Sequence, residues 1–240
     1  MQKNGLAEAM AELVYPRHCP VCHEIMPYGT GKACVPCRAS LSCIGEPKCR
    51  KCGKPVDQEE QEYCFDCSRQ SHSYEQGTAV WLYDKKMKES IYRFKYHNKR
   101  EYGDFYTEEI MRHCGSDIQR WKADMIIPVP LHKSKMRKRG FNQAELIARG
   151  IGESTGIPVR NDIVVRNRKT LPQKELSLKE RQINLKRAFK IVDNDVELKI
   201  IILIDDIYTT GSTVDGVAEV LLEAGASRVY YVSICIGKGI

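Results

Sequence analysis

The chain has 240 residues, of which 29% are charged and 42% are hydrophobic, a balance typical of soluble globular proteins with one or two domains. No apolar run is long enough to span a membrane, and the N-terminus lacks the basic-then-apolar order of a secretory signal. We therefore expect a cytoplasmic protein without membrane insertion. The net charge of +7 arises in residues 71–240, which hold 29 basic and 22 acidic side chains against 9 of each in residues 1–70. This excess suits acidic ligands such as pyrophosphate or nucleic acid.

Cysteines dominate the first part of the chain. Most of the 11 cysteines form Cys-x-x-Cys pairs within residues 1–70, and the third and fourth pairs repeat the first and second at a constant offset. Four such pairs supply enough thiolates for two tetrahedral Zn²⁺ sites without an open position for water, so we predict two structural zinc ions. The simplest pairing is sequential, with the ligand sets Cys19, Cys22, Cys34, Cys37 and Cys49, Cys52, Cys64, Cys67. A cross-braced pairing, first pair with third and second with fourth, stays open.

Residues 1–70 thus form a predicted zinc-binding domain, and its folding should depend on the metal because large apolar residues are few. Redox Cys-x-x-Cys motifs occur singly at a helix start, so we interpret the pattern as metal binding rather than as redox centres or disulfides. His18 and His23 flank the first pair and are interpreted as surface residues. The other cysteines are predicted to be small buried residues: Cys43, Cys114 and Cys235. Whether this domain contacts DNA, a protein or the rest of the chain stays open.

Residues 71–240 form the second predicted domain, which begins with a strand over 78–83 and a helix over 85–99. That helix is predicted to face the core through Met87, Ile91 and Phe94. A basic helix that faces an acidic ligand, with Tyr92 and Tyr96 available to stack on bases, is the alternative. The remaining short elements are helices over 5–15 and 102–113, and strands over 157–165, 189–192 and 229–235.

A second buried strand is predicted over 124–130, and a dense run of cations follows it. Charge runs are usually solvated surface, but this run lies at the carboxyl end of a strand, where open α/β sheets bind ligands. The position favours a loop that binds pyrophosphate, with the candidates Lys133, Lys135, Arg137, Arg139 and Gly140. Asn142 then caps a helix that Gly156 ends.

The central stretch of the domain is a continuous apolar run over 200–204, which predicts a strand buried on both faces. Two adjacent carboxylates, Asp205 and Asp206, come directly after it. A short loop rich in hydroxyl groups follows, made of Thr209, Thr210, Gly211, Ser212 and Thr213. Apolar residues then recur at helical spacing, and Gly225 is placed to close that helix. Strand, polar loop and helix in this order predict an α/β fold with a parallel sheet.

The chemistry of this loop is specific about its ligand. Backbone N–H groups at a helix start, together with hydroxyls and a glycine, form a site for a phosphate group. Two neighbouring carboxylates accept hydrogen bonds from adjacent hydroxyls or hold Mg²⁺. Ribose 5-phosphate carries both a phosphate and a vicinal diol. A strand-to-helix turn that binds no ligand would need only one capping residue, so the several hydroxyls favour a binding loop. The sequence has neither the Walker A motif nor the glycine motif of dinucleotide-binding loops, which excludes those two kinds of phosphate site.

The stretch 201–213 resembles the phosphoribosyl-pyrophosphate (PRPP) loop of type I phosphoribosyltransferases. This resemblance implies that PRPP binds with Mg²⁺, that Asp205 and Asp206 are the catalytic carboxylates, and that the hydroxyl loop anchors the 5-phosphate. These enzymes also have a flexible catalytic loop ahead of that strand. Here a polar, basic segment lies at the same place, and its candidates are Lys169 and Arg181.

Together, the cysteine pairs, the segment 139–143 and the loop 205–213 resemble the ComF family over nearly the whole chain. The resemblance implies a zinc-finger domain, a type I phosphoribosyltransferase-like domain and a role in uptake of transforming single-stranded DNA beside a helicase-like translocase. Single-stranded DNA or a nucleotide is the expected partner. Metabolic phosphoribosyltransferases select their base with a hood outside the sheet, and here a hood must come from the N-terminal side. The acceptor is therefore unassigned, and an active enzyme, a non-catalytic PRPP sensor and a DNA-binding adaptor all stay open.

Overall fold

The computed structural model describes residues 16–27, 29–167 and 188–237. Its strands are β1 (Gly77–Leu82), β2 (Met125–Pro128), β3 (Val164–Arg166), β4 (Phe189–Ile191), β5 (Ile200–Tyr208) and β6 (Arg228–Ile236). Its helices are α1 (Val35–Ala39), α2 (Phe65–Arg69), α3 (Lys85–Tyr96), α4 (Tyr102–Trp121), α5 (Lys133–Arg139), α6 (Gln143–Thr155) and α7 (Ser212–Glu223). Four strands form a parallel sheet in the order β1-β6-β5-β2, and β3 pairs with β4 antiparallel. The predicted α/β class with a parallel sheet and a small cysteine-rich N-terminal part is confirmed.

Strand β5 lies inside the sheet and is covered on both faces, which explains its continuous apolar run. Ile202 and Ile204 belong to one hydrophobic core, whereas Ile201 and Leu203 belong to a second core on the opposite face. All four side chains are fully buried. Burial on both sides fixes the register of β5 and thereby the direction of the polar residues that follow the apolar run.

Helices α3, α4 and α6 cover the first face, and α7 covers the second. Helix α3 begins with a side-chain cap, since the Asp84 carboxylate accepts a hydrogen bond from the N–H of Met87 at 2.9 Å. It then buries Met87, Ile91 and Phe94, so the predicted core-facing stripe is confirmed. Helix α6 begins after Asn142 and ends at Gly156, as predicted.

Four predicted elements differ from the structure. The strand predicted over 157–165 is reduced to β3 at its end, and Val159 forms only an isolated bridge to Ile126. The helix predicted over 102–113 continues to Trp121, because its C-terminal half still buries Cys114, Ile118 and Trp121. The central strand does not stop before the acids but extends through them to Tyr208, since β6 pairs with it along that length. The basic run after β2 is not a loop: it forms the short helix α5, because none of its residues breaks a helix before Gly140. The predicted helix over 5–15 lies outside the described residues.

The cysteine repeat is also a repeat in three dimensions. In the first unit, which we name the first ribbon (residues 16–44), the N–H of His23 donates to the carbonyl of Cys19 at 2.9 Å. In the second ribbon (residues 46–70), the N–H of Gly53 donates to the carbonyl of Cys49 at the same distance. His23 and Gly53 both have a positive φ, at 68° and 75°. The equivalent turns support the duplication predicted from the cysteine spacing.

The two ribbons contact opposite faces of the sheet. Cys19, Met26 and Leu41 of the first ribbon join the core that contains α3 and α4, whereas Cys49, Cys52 and Cys64 of the second ribbon join the core that contains α7. The cysteine-rich part therefore packs directly on the sheet domain, which answers one of the questions that the sequence left open. The proposed boundary at residue 70 stays a prediction. Within the described ranges, no helix combines the length and the apolar character needed to cross a membrane.

Candidate phosphoribosyl and zinc sites

The eight paired cysteines come together as two groups of four in the sequential pairing, not in the cross-braced one. In each group the four sulfur atoms lie within 4.8 Å of one another. The Sγ–Sγ distance is 3.9 Å between Cys22 and Cys34, and 3.6 Å between Cys52 and Cys64. Sulfur atoms around Zn²⁺ with Zn–S bonds of about 2.3 Å are about 3.8 Å apart. Both groups therefore fit a structural zinc ion.

The two zinc sites differ in exposure. Cys22 of the first site is exposed, whereas Cys49, Cys52 and Cys64 of the second site are buried. The two cysteine groups do not include His18 or His23. The His23 Nδ1 atom lies 2.7 Å from the Tyr102 hydroxyl, and the imidazole rings of His18 and His23 stack on each other. Both histidines are only half exposed, so their prediction as surface residues is only partly right.

The prediction for the unpaired cysteines is right for Cys114 and Cys235, which are buried, and wrong for Cys43, which is exposed. Residues 42–44 run along the outer edge of β1, where the N–H of Ile44 donates to the carbonyl of Val80 at 2.9 Å. Backbone pairing at a sheet edge leaves the Cys43 side chain outside the core, 3.9 Å from the His113 Nε2 atom.

The predicted phosphate loop is formed by the residues between β5 and α7. A pocket of about 40 Å³ is lined by Asp205 and the continuous segment from Ile207 to Val214. Gly211 precedes α7 with a φ of 80°, a backbone conformation that favours glycine. The hydroxyls of Thr210 and Ser212 lie 2.8 Å apart. Ser212, Thr213 and Val214, the first residues of α7, line this pocket. The first N–H groups of a helix have no partner within the helix, so the loop has the donors that a phosphate group needs.

The two predicted carboxylates lie in the last part of β5, and Asp205 lines this pocket. The N–H of Asp206 donates to Asp205 Oδ1 at 2.8 Å, which fixes one acid against the other. Asp206 Oδ2 lies 2.7 Å from the ammonium group of Lys95, at the end of α3. Burial, together with the negative charge of Asp206, raises the pKa of Asp205 to about 7, although Lys95 and Arg166 act against this rise. The carboxyl group of Asp205 therefore gains or loses its charge around pH 7.

The predicted pyrophosphate residues occupy different places along α5. Arg139 donates to Gln143 Oε1 at 2.9 Å and to the Tyr96 hydroxyl at 3.2 Å. Desolvation and the positive charge of Arg166 lower the pKa of Lys135. Lys133, Lys135, Arg137 and Gly140 are exposed, whereas Arg139 is partly buried. A helix directs successive side chains to different sides, so these residues do not form one continuous surface. The flexible-loop candidates Lys169 and Arg181 lie outside the described residues.

Several residues behind the phosphate loop carry no motif and are missed by sequence reasoning. His72 Nδ1 lies 2.8 Å from Asp215 Oδ2, and the N–H of Ser73 donates to Asp215 Oδ1 at 2.9 Å. The Tyr74 and Tyr208 hydroxyls lie 2.6 Å apart. These contacts tie the segment after the second ribbon to the first turn of α7. These residues could have been identified only by predicting that the segment 71–76 packs against the phosphate loop, and no motif in the sequence indicates that contact.

Lys95 is the residue that sequence reasoning missed at the acid pair itself. It occurs among several similar lysines of α3, and its spacing from the acids in the sequence gives no signal. Helical periodicity places Lys95 next to the buried Phe94 and at the edge of the core stripe. That position brings the ammonium group to the carboxyl edge of the sheet.

Comparison with known proteins places these sites in a family. Residues 10–68 match the double zinc ribbon domain. The chain is 29% identical over 219 residues to Competence protein F of Haemophilus influenzae, covering 82% of this chain and 93% of that protein. It is 32% identical over 200 residues to Competence protein ComFC of Bacillus subtilis, covering 81% of this chain and 79% of that protein. It is 26% identical over 226 residues to the DNA utilization protein YhgH of Escherichia coli, covering 93% of this chain and 98% of that protein.

Among solved structures, a purine phosphoribosyltransferase from Pyrococcus horikoshii aligns with a TM-score of 0.37 and 17% identity, over 55% of this chain and 73% of that chain. The identity to ComFC and the share of both chains that it covers decide the family, and the two zinc-binding groups and the polar loop at the end of β5 are in keeping with it. The chain belongs to the ComF family of competence proteins.

Proposed function

We propose that this protein binds PRPP with Mg²⁺ and transfers its phosphoribosyl group to an acceptor, within the uptake of transforming single-stranded DNA. The observation that carries the proposal is the position of the hydroxyl loop and the acid pair at the two ends of one short stretch, Asp205 to Thr213. A phosphate binds to the helix start, and a diol binds to carboxylates. Ribose 5-phosphate joins both groups at that spacing, and PRPP adds a leaving group. The names of the relatives, competence and DNA utilization proteins, supply the process.

The reaction breaks the bond between C1 of the ribose and the pyrophosphate oxygen, whose electron pair leaves with pyrophosphate. An acceptor lone pair then forms the new bond to C1, and the acceptor loses a proton to water. Asp205 and Asp206 hold the ribose hydroxyls and stabilise the positive charge that develops on the ring. Carboxylate oxygens fit Mg²⁺, which supplies charge neutralisation for the pyrophosphate when it is bound. A non-catalytic PRPP sensor would use the same contacts without transfer.

The pH dependence of PRPP affinity tests this proposal. Calorimetry of the wild-type protein with PRPP and Mg²⁺ should show binding that strengthens as the pH rises through about 7, because the ionised Asp205 accepts hydroxyl hydrogen bonds better than the protonated acid. Asp205→Asn should bind about 10-fold more weakly above that pH and lack this step. Titration of the ligand's own phosphate is common to both proteins and cancels in their ratio.

Undetectable binding of PRPP by the wild-type protein would contradict both the enzyme and the sensor. Binding without any release of pyrophosphate, whether a nucleobase, a nucleotide or a DNA end is offered, would leave only the sensor.

Single-stranded DNA binding is a second candidate, favoured by one specific surface. Tyr92 and Tyr96 on α3 are both exposed, and their rings lie 5.0 Å apart. The charged groups of Lys138 and Arg139 lie 5.5 Å and 5.0 Å from the centre of the Tyr96 ring. Exposed aromatic rings among cations bind unpaired bases by stacking and the backbone by charge. We name Tyr92, Tyr96, Lys138 and Arg139 the aromatic–basic patch.

The double substitution Tyr92→Ala and Tyr96→Ala tests the patch. We expect affinity for an oligo(dT) strand to fall by about 10- to 100-fold, since base stacking contributes about 1–3 kcal/mol per base. Tyr63→Ala is the control, because Tyr63 is an equally exposed tyrosine in the second ribbon. Equal affinity of both variants for the strand, measured by fluorescence anisotropy, would place DNA binding elsewhere. A flat response of wild-type affinity to salt would argue against a backbone contact.

A further inference from the structure

The contact between Lys95 and Asp206 has no counterpart in the predicted site. The Lys95 ammonium lies 2.7 Å from Asp206 Oδ2, and both side chains are largely buried, with 14% and 15% exposed. The other lysines of this helix, Lys85, Lys86 and Lys88, are exposed. A buried ammonium at the ligand edge therefore distinguishes Lys95 from the solvated charges around it.

The contact leaves room for a ligand at the same carboxylate. An ionised carboxylate has two oxygens with about four acceptor positions. Lys95 uses one position at Oδ2, so Asp206 can still accept a hydrogen bond from a ribose hydroxyl. A ligand hydroxyl and the Lys95 ammonium can consequently share Asp206, which brings the ammonium next to the ribose.

The position of Lys95 relative to the phosphate loop defines which part of a ligand it meets. Helix α7 and its loop belong to the core on one face of the sheet, whereas α3 belongs to the core on the other face. The acid pair lies between them, at the edge. In ribose 5-phosphate, C5 and C1 lie on opposite sides of the ring oxygen. With the 5-phosphate at α7 and the diol at the acids, C1 faces the side of the sheet that carries Lys95.

We propose that Lys95 binds the pyrophosphate group at C1 of PRPP and that, among the described residues, it is the cation nearest to the bond that breaks. This inference rests on the proposed function. Arg166 and Lys95 act electrostatically on Asp205, and the charges of Arg166, Arg139 and Lys95 act on Lys135. We expect these further cations to contact the part of the pyrophosphate that Lys95 does not reach. When the C1–oxygen bond breaks, its electron pair stays on pyrophosphate, and the Lys95 ammonium neutralises part of that charge.

Lys95→Met tests the inference, with three ligands compared by calorimetry: ribose 5-phosphate, inorganic pyrophosphate with Mg²⁺, and PRPP with Mg²⁺. We expect the affinities for PRPP and pyrophosphate to fall by about 10- to 100-fold, because one charge-assisted hydrogen bond to a phosphate is lost. The affinity for ribose 5-phosphate should stay within about 3-fold, since its phosphate binds at the helix start. Lys95→Arg should recover part of the lost PRPP affinity. Lys88→Met, a change at an exposed lysine of the same helix, should change none of the three.

An equal loss for ribose 5-phosphate and PRPP in Lys95→Met would overturn the inference, because Lys95 would then support only the shape of the acid pair. Unchanged PRPP affinity would overturn it as well. Failure of the wild-type protein to bind ribose 5-phosphate at all has a different meaning: the proposed function itself is then wrong. Thermal unfolding of each variant shows whether the buried Asp206 tolerates the loss of its partner.

Discussion

Cys52→Ser is expected to remove one zinc ion and to abolish ribose 5-phosphate binding, although Cys52 lies in a different part of the chain from the phosphate loop. Its thiolate belongs to the second zinc site, and its carbonyl accepts a hydrogen bond from the Tyr231 hydroxyl at 2.7 Å. The Tyr231 ring stacks on Tyr208 with centroids 4.7 Å apart. Tyr208 ends β5 directly before the phosphate loop. Loss of the second zinc site therefore removes the support behind that loop.

The matched control for this substitution is Cys22→Ser, the equivalent position in the repeat. Structural Zn²⁺ contributes about 10–16 kcal/mol to the folding of isolated zinc fingers, so either change should unfold its own ribbon. The first ribbon, however, contacts α3 and α4 on the other face: the Arg93 guanidinium donates to the Val21 carbonyl at 3.2 Å. Cys22→Ser should lower the zinc content from two ions to one and keep ribose 5-phosphate affinity. Equal loss of affinity in both variants would contradict a separate role for the second ribbon.

Gly211→Ala is expected to lower the affinity for ribose 5-phosphate by more than about 100-fold. Gly211 has a φ of 80°, and a Cβ atom there would lie 2.5 Å from the Tyr208 hydroxyl oxygen and 2.9 Å from His72 Cε1. Both neighbours are buried and held by hydrogen bonds, so the loop itself must move. A phosphate bound by several N–H groups loses most of these bonds when the loop shifts, at about 1.5–3 kcal/mol for each bond to a charged group.

Gly156→Ala separates the strain of the backbone from the collision. Gly156 has a φ of 75° after α6, but a Cβ atom there meets nothing within 4 Å. Both substitutions should lower the unfolding temperature, since a non-glycine residue at positive φ costs about 1 kcal/mol. Only Gly211→Ala should affect ligand affinity in calorimetry. Unchanged affinity in Gly211→Ala would show that the pocket at the start of α7 is not the phosphate site.

Local sequence patterns were sufficient for the parts of this protein that depend on local chemistry. Cysteine spacing predicted the zinc ligands, and the sequential pairing follows from the short connection within each ribbon. The apolar run before Asp205 predicted a strand buried on both faces, because only such a strand needs apolar residues at every position. The hydroxyl loop was predicted from its donors. Each of these predictions uses residues that are close in the chain.

Contacts between distant residues explain what the sequence did not reveal. Lys95 reaches Asp206, and His72 reaches Asp215, across more than a hundred residues of chain. Neither pair has a spacing that a motif could record. The basic run after β2 was predicted as a loop because it consists mainly of charged residues. Lysine, arginine and methionine nevertheless have good helix propensity, and the run forms a helix. The assignment of Lys133, Lys135, Arg137 and Arg139 to a pyrophosphate site stays a prediction, and the helix directs their side chains to different sides.

Long-range contacts also place the two ribbons against different parts of the sheet domain. The second ribbon lies behind the phosphate loop, and the first ribbon packs on α3, the helix that carries Lys95 and the two tyrosines of the aromatic–basic patch. A hood from the N-terminal side that selects the acceptor stays a prediction. The first ribbon also contacts the segment that follows α3, because the Lys99 ammonium lies 3.0 Å from His18 Nδ1.

A crystal structure of the wild-type protein with PRPP and Mg²⁺ tests the central claim most directly. We predict that the 5-phosphate lies in the loop from Thr209 to Thr213, with the ribose hydroxyls at Asp205 and Asp206 and the pyrophosphate on the side of Lys95. PRPP bound in another pocket, or no bound ligand at concentrations that saturate known PRPP-binding proteins, would contradict the account.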